Sequence, residues 1–349
     1  MSAELVAITG ISSVSPYGTV AGLIPRCALE PEPITAWPTT GLRRAFMVKP
    51  FRPASVVPGL KTRRLDRLSA WAMVASSMAL RDAGIDLNQE DRSRVAVVFG
   101  TGFGCAELTE AFCHSAAIHG WSGTDPSPFP EGLANSPASH VALWHEVRGP
   151  NITVGCKGFA GESALIQAAS LLRHGQAELA VVLAGDTLTR AIYEWYEASG
   201  LLSPACYNSL PLTDGSGFVP SEGVAAMVLE PAGRREVRAY AHFSSGCWSA
   251  NGRAVETIRK MLGGSVPRIT ICAGNGAPCA TSSTSALASE ITGTSERTVA
   301  AQAVAAGLTD SSALLHLILA LSGQPPSGQA LLLGTSGKNG FAVLLLELP

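Results

Sequence analysis

The chain has 349 residues, of which 46% are hydrophobic and only 15% charged, against about 25% charged in an average soluble protein. That length fits two packed halves or one large α/β unit, and the composition excludes intrinsic disorder. A formal net charge of −2, with scattered Lys and no long Arg run, excludes the footprint of a nucleic-acid-binding protein.

Surplus apolar surface on such a chain is expected to become interface. No apolar stretch approaches the roughly 18 to 20 residues of a membrane span, so no membrane association is expected. The opening MSAELVAITG lacks the basic and apolar regions of a secretory leader, which points to the cytoplasm. None of the Cys residues forms a CxxC, and reduced, mostly buried thiols are expected. Cys105, Cys113, His114 and His119 are the nearest thing to a metal cluster. Their spacing matches no common zinc pattern, so neither a metal nor a cofactor is expected.

Taken in order, Leu5 to Gly10 reads as a buried strand feeding a turn. Arg64 to Ala83 carries apolar residues at helical spacing, and Gly84 stops it. A strand over Arg94 to Phe99 leads through the turn Gly100 to Gly104 into a helix from Ala106 to Ile118, and 120–130 reads as loop. Strands follow at Asn151 to Val154, Glu178 to Ala184 and Val224 to Glu230, with a helix over Gly161 to Arg173. The second half repeats this order: strand Val237 to Phe243, helix Ala254 to Leu262, strand Arg268 to Cys272, helix Thr298 to Leu321, then strands Ala330 to Leu333 and Phe341 to Leu348. Leu179 to Gly185 matches Ala330 to Gly334, and Gly223 to Glu230 matches Gly340 to Glu347. A duplicated βαβαβαββ unit is therefore expected, an α/β fold of stacked sheets with helices between and outside. The halves are expected at 1–233 and 234–349.

Val6 to Gly18, Arg63 to Ser69, Asn135 to Ala138, Arg148 to Val154, His174 to Gly185, Asp214 to Gly223 and Gly334 to Asn339 together resemble the β-ketoacyl synthases. The resemblance implies the thiolase fold, an α-β-α-β-α layering. It also implies a chemistry of three groups. A Cys at a helix N-terminus takes an acyl chain from an acyl carrier protein as a thioester, and two His stabilise the enolate formed on decarboxylation. Counting from Gly149 to Ala169, the nucleophile position is Gly158, and the His positions are Gly274 and Ala301. The family's Lys appears as Glu296, and the Phe of its gating turn as Thr335. The second half looks shortened near Ser244 to Val266.

Loss of all three groups resembles the chain-length factors of type II polyketide synthases. The resemblance implies a heterodimer with an active ketosynthase subunit, work on an acyl carrier protein, and control of product length through a shared acyl tunnel. Chain-length factors typically carry Gln where Gly158 stands. Asn151, Ile152, Thr153 and Val154 would lie at the dimer contact, and Cys105, Leu108 and Phe112, three and four apart on one helix face, would line the tunnel. Ordinary core packing is the alternative for those three. Two other functions stay open: an active condensing enzyme or acyltransferase with a relocated nucleophile at Cys156, and a purely structural scaffold subunit. Gly100 to Gly104 lacks the spacing of a phosphate loop, and Asp214 and Glu222 read as loop anchors.

Overall fold

The computed structural model describes residues 5–25, 29–39, 41–156, 158–207, 217–249, 253–272, 286–291, 298–299, 313–336 and 340–349. Strands apolar at nearly every position need cover on both faces, and that requirement sets the layering. β1 (Val6–Ser15) is buried throughout and turns back through β2 (Gly18–Ala21). The short pair β3 (Glu32–Pro33) and β4 (Arg44–Ala45), then α1 (Pro53–Val56), lead to α2 (Arg67–Asp82). Next come β5 (Val95–Thr101), α3 (Ala106–His119), α4 (Ser136–His145), β6 (Asn151–Gly155), α5 (Ala160–Arg173), β7 (Leu179–Asp186), α6 (Arg190–Ala198) and β8 (Gly223–Pro231). The second half supplies β9 (Ala241–Ser249), α7 (Ala254–Leu262), β10 (Ile269–Cys272), β11 (Thr298–Val299), α8 (Ala313–Ser322), β12 (Gly328–Ser336) and β13 (Gly340–Leu348), with a short helical stretch over 286–291.

The two halves share one strand order. The first runs β1-β8-β7-β5-β6 and the second β9-β13-β12-β10-β11. In each, the first strand lies antiparallel to the last, the last antiparallel to its next neighbour, and the remaining pairs are parallel. The arrays join where Val6 to Ile8 of β1 pair with Ala241 to Phe243 of β9. Alternation along each strand separates the layers. Ala96 and Val98, Ala180 and Val182, and Leu332 and Leu344 enter a central core with α5 and α8. Val95, Val97, Leu179 and Val181 face α2 on one outer side, while Leu331, Leu333, Val343 and Leu345 face α7 on the other. The result is the expected α-β-α-β-α arrangement.

Several boundaries differ from expectation. The strand expected over Val237 to Phe243 is β9, which runs on to Ser249. Its ladder to β13, from His242↔Glu347 to Ser249↔Phe341, overrides the weak strand preference of its Ser residues. The helix expected from Thr298 begins instead with a strand, because Thr298 and Val299 pair parallel with Thr270 and Ile271. α8 starts at Ala313, and 300–312 lie outside the described residues. Helices α4 and α6 were not expected. α4 buries only Ser136, Pro137, Ala138 and Val141, too narrow a stripe to read as periodic. The expected loop at 120–130 carries single 3₁₀ turns at Trp121–Gly123 and, at its end, Phe129–Gly132.

His145 ties α4 to α2, its Nε2 lying 3.0 Å from Ser76 Oγ and 3.5 Å from Ser77 Oγ. Burial, reinforced by the Arg92 charge, lowers its imidazole from the ordinary 6.5 to about 4. The folded protein therefore keeps His145 neutral over a range in which the unfolded chain takes up a proton. Its contribution to stability is present above pH 6.5 and is lost as pH falls from 6.5 to about 4. Urea unfolding across that range should show a shallower acid loss for His145→Gln than for the parent protein.

Candidate functional site

Strand β6 leaves the sheet at Gly155 and enters α5 through a tight turn, closed by the Phe159 N–H donating to the Cys156 carbonyl at 3.4 Å. Gly158 sits in this turn at φ 96°, in the left-handed region where a side chain is strained. The residue that the resemblance places at the nucleophile thus carries no side chain, and its backbone favours glycine. α5 starts at Ala160, one turn from the sheet, with no side-chain cap at Phe159. Its first backbone N–H groups and its dipole remain aimed at the turn.

Gly100 of β5 lets the helix approach this closely. A Cβ there would lie 2.2 Å from the Ala160 carbonyl oxygen, far inside contact distance. On the other side, Gly334 at the end of β12 receives the first turn of α5. A Cβ on Gly334 would meet Glu162 Oε1 at 2.4 Å and the Phe159 ring at 3.8 Å. Glu162 is buried in this contact between the two halves. The sequence reading missed it; the one signal was an acidic residue on the otherwise apolar face of a helix entering the core. Cys156 is half-buried and is the first residue of the turn, not at the helix start. Gly274, Ala301, Glu296 and Asp214 lie outside the described residues, as do 337–339 of the Gly334 to Asn339 turn.

The three residues proposed for one face of α3 do not meet in one cavity. Cys105 is buried with its Sγ 3.8 Å from Ser69 Oγ of α2, and burial pushes its thiol up to about 12. Leu108 lines a cleft of about 590 Å³ between α2, α3 and the segment Val48 to Pro53. Phe112 turns away from that cleft, its ring 5.6 Å from Phe129 and 6.3 Å from Trp121. Trp121 is 78% exposed, and Ile118, Phe129, Leu133 and Leu143 are exposed too. Nearby, β6 pairs only with β5 among the described strands. Asn151 donates from Nδ2 to the Ala138 carbonyl of α4, which places α4 beside the open edge.

The Gly100 to Gly104 turn is not a phosphate loop. Asp186 accepts from the Gly102 and Phe103 N–H groups and from Thr101 Oγ1, so those amides are already occupied. Glu222, the expected loop anchor, accepts from Val48 N and Leu188 N and pairs with Arg67. Among the described residues no group of three or more His, Cys, Asp or Glu could hold a metal ion.

The family model of the β-ketoacyl synthase N-terminal domain matches residues 30–234, more than half of the chain. The chain belongs to the β-ketoacyl synthase family. A 3-oxoacyl-[acyl-carrier-protein] synthase 2 from Vibrio harveyi is 28% identical over 243 residues, 66% of this chain and 58% of its own length. The chain thus spans less than two thirds of that relative. Among solved structures, an ishigamide ketosynthase/chain length factor matches with a TM-score of 0.78 at 20% identity over 99% of both chains. A type II polyketide synthase ketosynthase, AntDE, in complex with its acyl-carrier protein AntF matches with a TM-score of 0.75 at 18% identity, again over 99% of both chains. At these identities they establish the shared thiolase fold.

Gly100→Ala should drive the start of α5 away from β5 and cost about 1–3 kcal/mol, the usual range for overpacking. Denaturant unfolding of the purified variant measures this, and an unchanged midpoint would show that the helix can retreat freely.

Proposed function

We propose that this chain is a non-catalytic ketosynthase-like subunit, a chain-length factor. It would pair with an active β-ketoacyl synthase in the cytoplasm and shape the tunnel in which a type II polyketide or polyene chain grows on an acyl carrier protein. The observation that carries this reading is Gly158: the turn and the helix N-terminus are kept, but the position holds no nucleophile and has a backbone that favours glycine. The sequence adds Gly274 and Ala301 at the two His positions. The half boundary at 233/234 belongs to the same proposal.

Pairing is supported by the open edge of β6, where Asn151 to Val154 offer backbone groups to another strand. The apolar residues Ile118, Trp121, Phe129, Leu133 and Leu143 are exposed in this chain, and contact with a partner would cover such a surface. The ketosynthase/chain length factor and the carrier-protein complex among the matched folds agree with this assignment. Of the candidate tunnel residues Cys105, Leu108 and Phe112, which face different neighbours, one is carried forward. Phe112 has the strongest claim, because its ring is half-buried at the surface nearest the proposed contact rather than in the core.

Alone, the purified chain should give no β-ketoacyl product from acyl- and malonyl-carrier proteins, and Gly158→Cys should not restore condensation. Product that disappears in Cys156→Ala would establish the relocated nucleophile, and product that survives it would overturn the assignment of the site.

Co-expressed with its ketosynthase, Phe112→Ala should yield a longer product by mass spectrometry. It should cost less stability than the about 3–5 kcal/mol of truncating a buried Phe. Leu143→Asp, on an exposed side chain, should abolish co-purification while leaving the circular dichroism of the chain unchanged. An intact heterodimer with unaltered product length would remove Phe112 from the tunnel.

A further inference from the structure

A separate cleft, of about 400 Å³, lies between the end of β1, the segment Leu29 to Pro33, and β4 with its continuation to Lys49. That volume is at the small end of small-molecule sites, roughly 300–1,000 Å³. It is lined by none of the candidate tunnel residues and none of the exposed apolar residues assigned to pairing, and it shares only Lys49 with the cleft beside α3. What it binds is therefore independent of the function proposed above.

The cleft is built on fixed backbone. β3 pairs antiparallel with β4 through Glu32↔Ala45 and Pro33↔Arg44. On the far side of the hairpin, the Phe46 N–H donates to the Pro220 carbonyl at 2.9 Å and the Glu222 N–H donates to the Phe46 carbonyl at 3.3 Å, which ties the floor to the start of β8. Ala45 and Phe46 are buried, and Leu29 and Met47 are half-buried beside them. Pro31 and Pro33 fix φ along one wall, and Arg44 Nη1 donates to the Pro31 carbonyl at 2.9 Å.

Its charges balance and stand close together. Arg44 and Lys49 bring two positive charges, and Glu30 and Glu32 two negative ones. Lys49 Nζ lies 4.0 Å from Glu32 Oε1, with the two side chains 76% and 66% exposed. An ion pair this open and this long is worth little, so a ligand with better-placed charges can replace it. A simple anion would meet the two Glu, and a simple cation would meet Arg44 and Lys49. A zwitterion answers both. The short separation of Lys49 and Glu32 calls for an ammonium and a carboxylate on neighbouring atoms, as on either side of one carbon. The apolar surface of Leu29, Phe46 and Met47 suits a hydrocarbon side chain.

From this arrangement we propose that the cleft binds a free α-amino acid with an apolar side chain. Lys49 holds its carboxylate, Glu32 holds its ammonium, and the side chain lies over Phe46 and Met47. Isothermal titration of the purified full chain with L-leucine, 4-methylpentanoate, L-leucinamide and 6-aminohexanoate tests it. The second compound lacks the amine, the third lacks the carboxylate, and the fourth holds the two charges far apart. Saturable one-site binding of leucine, about tenfold or more tighter than any of the other three and weakening with added salt, is the expected result. Glu32→Gln and Lys49→Gln, both on exposed side chains, should each weaken leucine binding about tenfold or more while leaving the circular dichroism unchanged. The proposal is overturned if leucine does not saturate below about 1 mM, if any of the other three compounds binds as tightly, or if either folded variant binds leucine like the parent protein.

Discussion

Everything in this molecule depends on a central helical layer that must be covered on both sides. α8 is buried at Ala313, Leu314, Leu315, His316, Leu317, Ile318, Ala320 and Leu321, and α5 at ten of its positions. Helices apolar around so much of their circumference are stable only between two apolar surfaces. The two strand arrays of the one large sheet supply those surfaces, and their other faces then need the outer helices. The five layers follow from that one requirement, and so does the placement of the site, because α5 begins where the two halves meet at Glu162 and Gly334.

Carboxylates at two strand ends and at the start of α2 hold the loops of the first half in place. Asp186 gathers the turn after β5, Glu222 joins the segments before Val48 and Leu188, and Asp66 joins the starts of α2 and α3. Arg67 links Glu222 to Glu107 and so couples β8, α2 and α3. Each of these acids accepts backbone N–H bonds that would otherwise be orphaned in or near the core. The loops of the first half are therefore set by polar contacts, while the layers beneath them are set by apolar ones.

Much of the architecture was legible in the sequence because fully buried strands such as Val95–Thr101 and Leu179–Asp186 are apolar runs up to their last residue. α7 was legible to the residue, with one apolar stripe and a glycine stop at Gly263. β9 was legible only as far as Phe243, since the remainder, Ser244 to Ser249, is mostly polar and owes its strand state to the ladder to β13. α4 and α6 were missed for their narrow stripes, and Thr298–Val299 because two residues carry no period. At the site, Gly158 could be found by counting, but Glu162 could not, because its meaning lies in a contact with Gly334 across 172 positions (334 − 162). The spacing of Cys105, Leu108 and Phe112 read as one helix face, but Cys105 caps the helix rather than belonging to it. Spacing does not say which neighbour each side chain meets, and they meet different ones.

The pairing of β1 with β8 has a consequence for how the chain is made. Val6 sits opposite Pro231, and Ile8 opposite Leu229 and Ala241. On the ribosome Val6 to Ile11, beyond the reach of β2, therefore wait for more than two hundred residues of synthesis before their neighbours β8 and β9 exist. α5 waits longer, since the second sheet that covers it ends at Leu348. Throughout that interval the nascent chain presents a bare apolar strand and a half-covered central helix, the kind of surface that chaperones hold. Its yield in a cell should depend on the speed of translation and on chaperone supply more steeply than that of a protein built from local contacts.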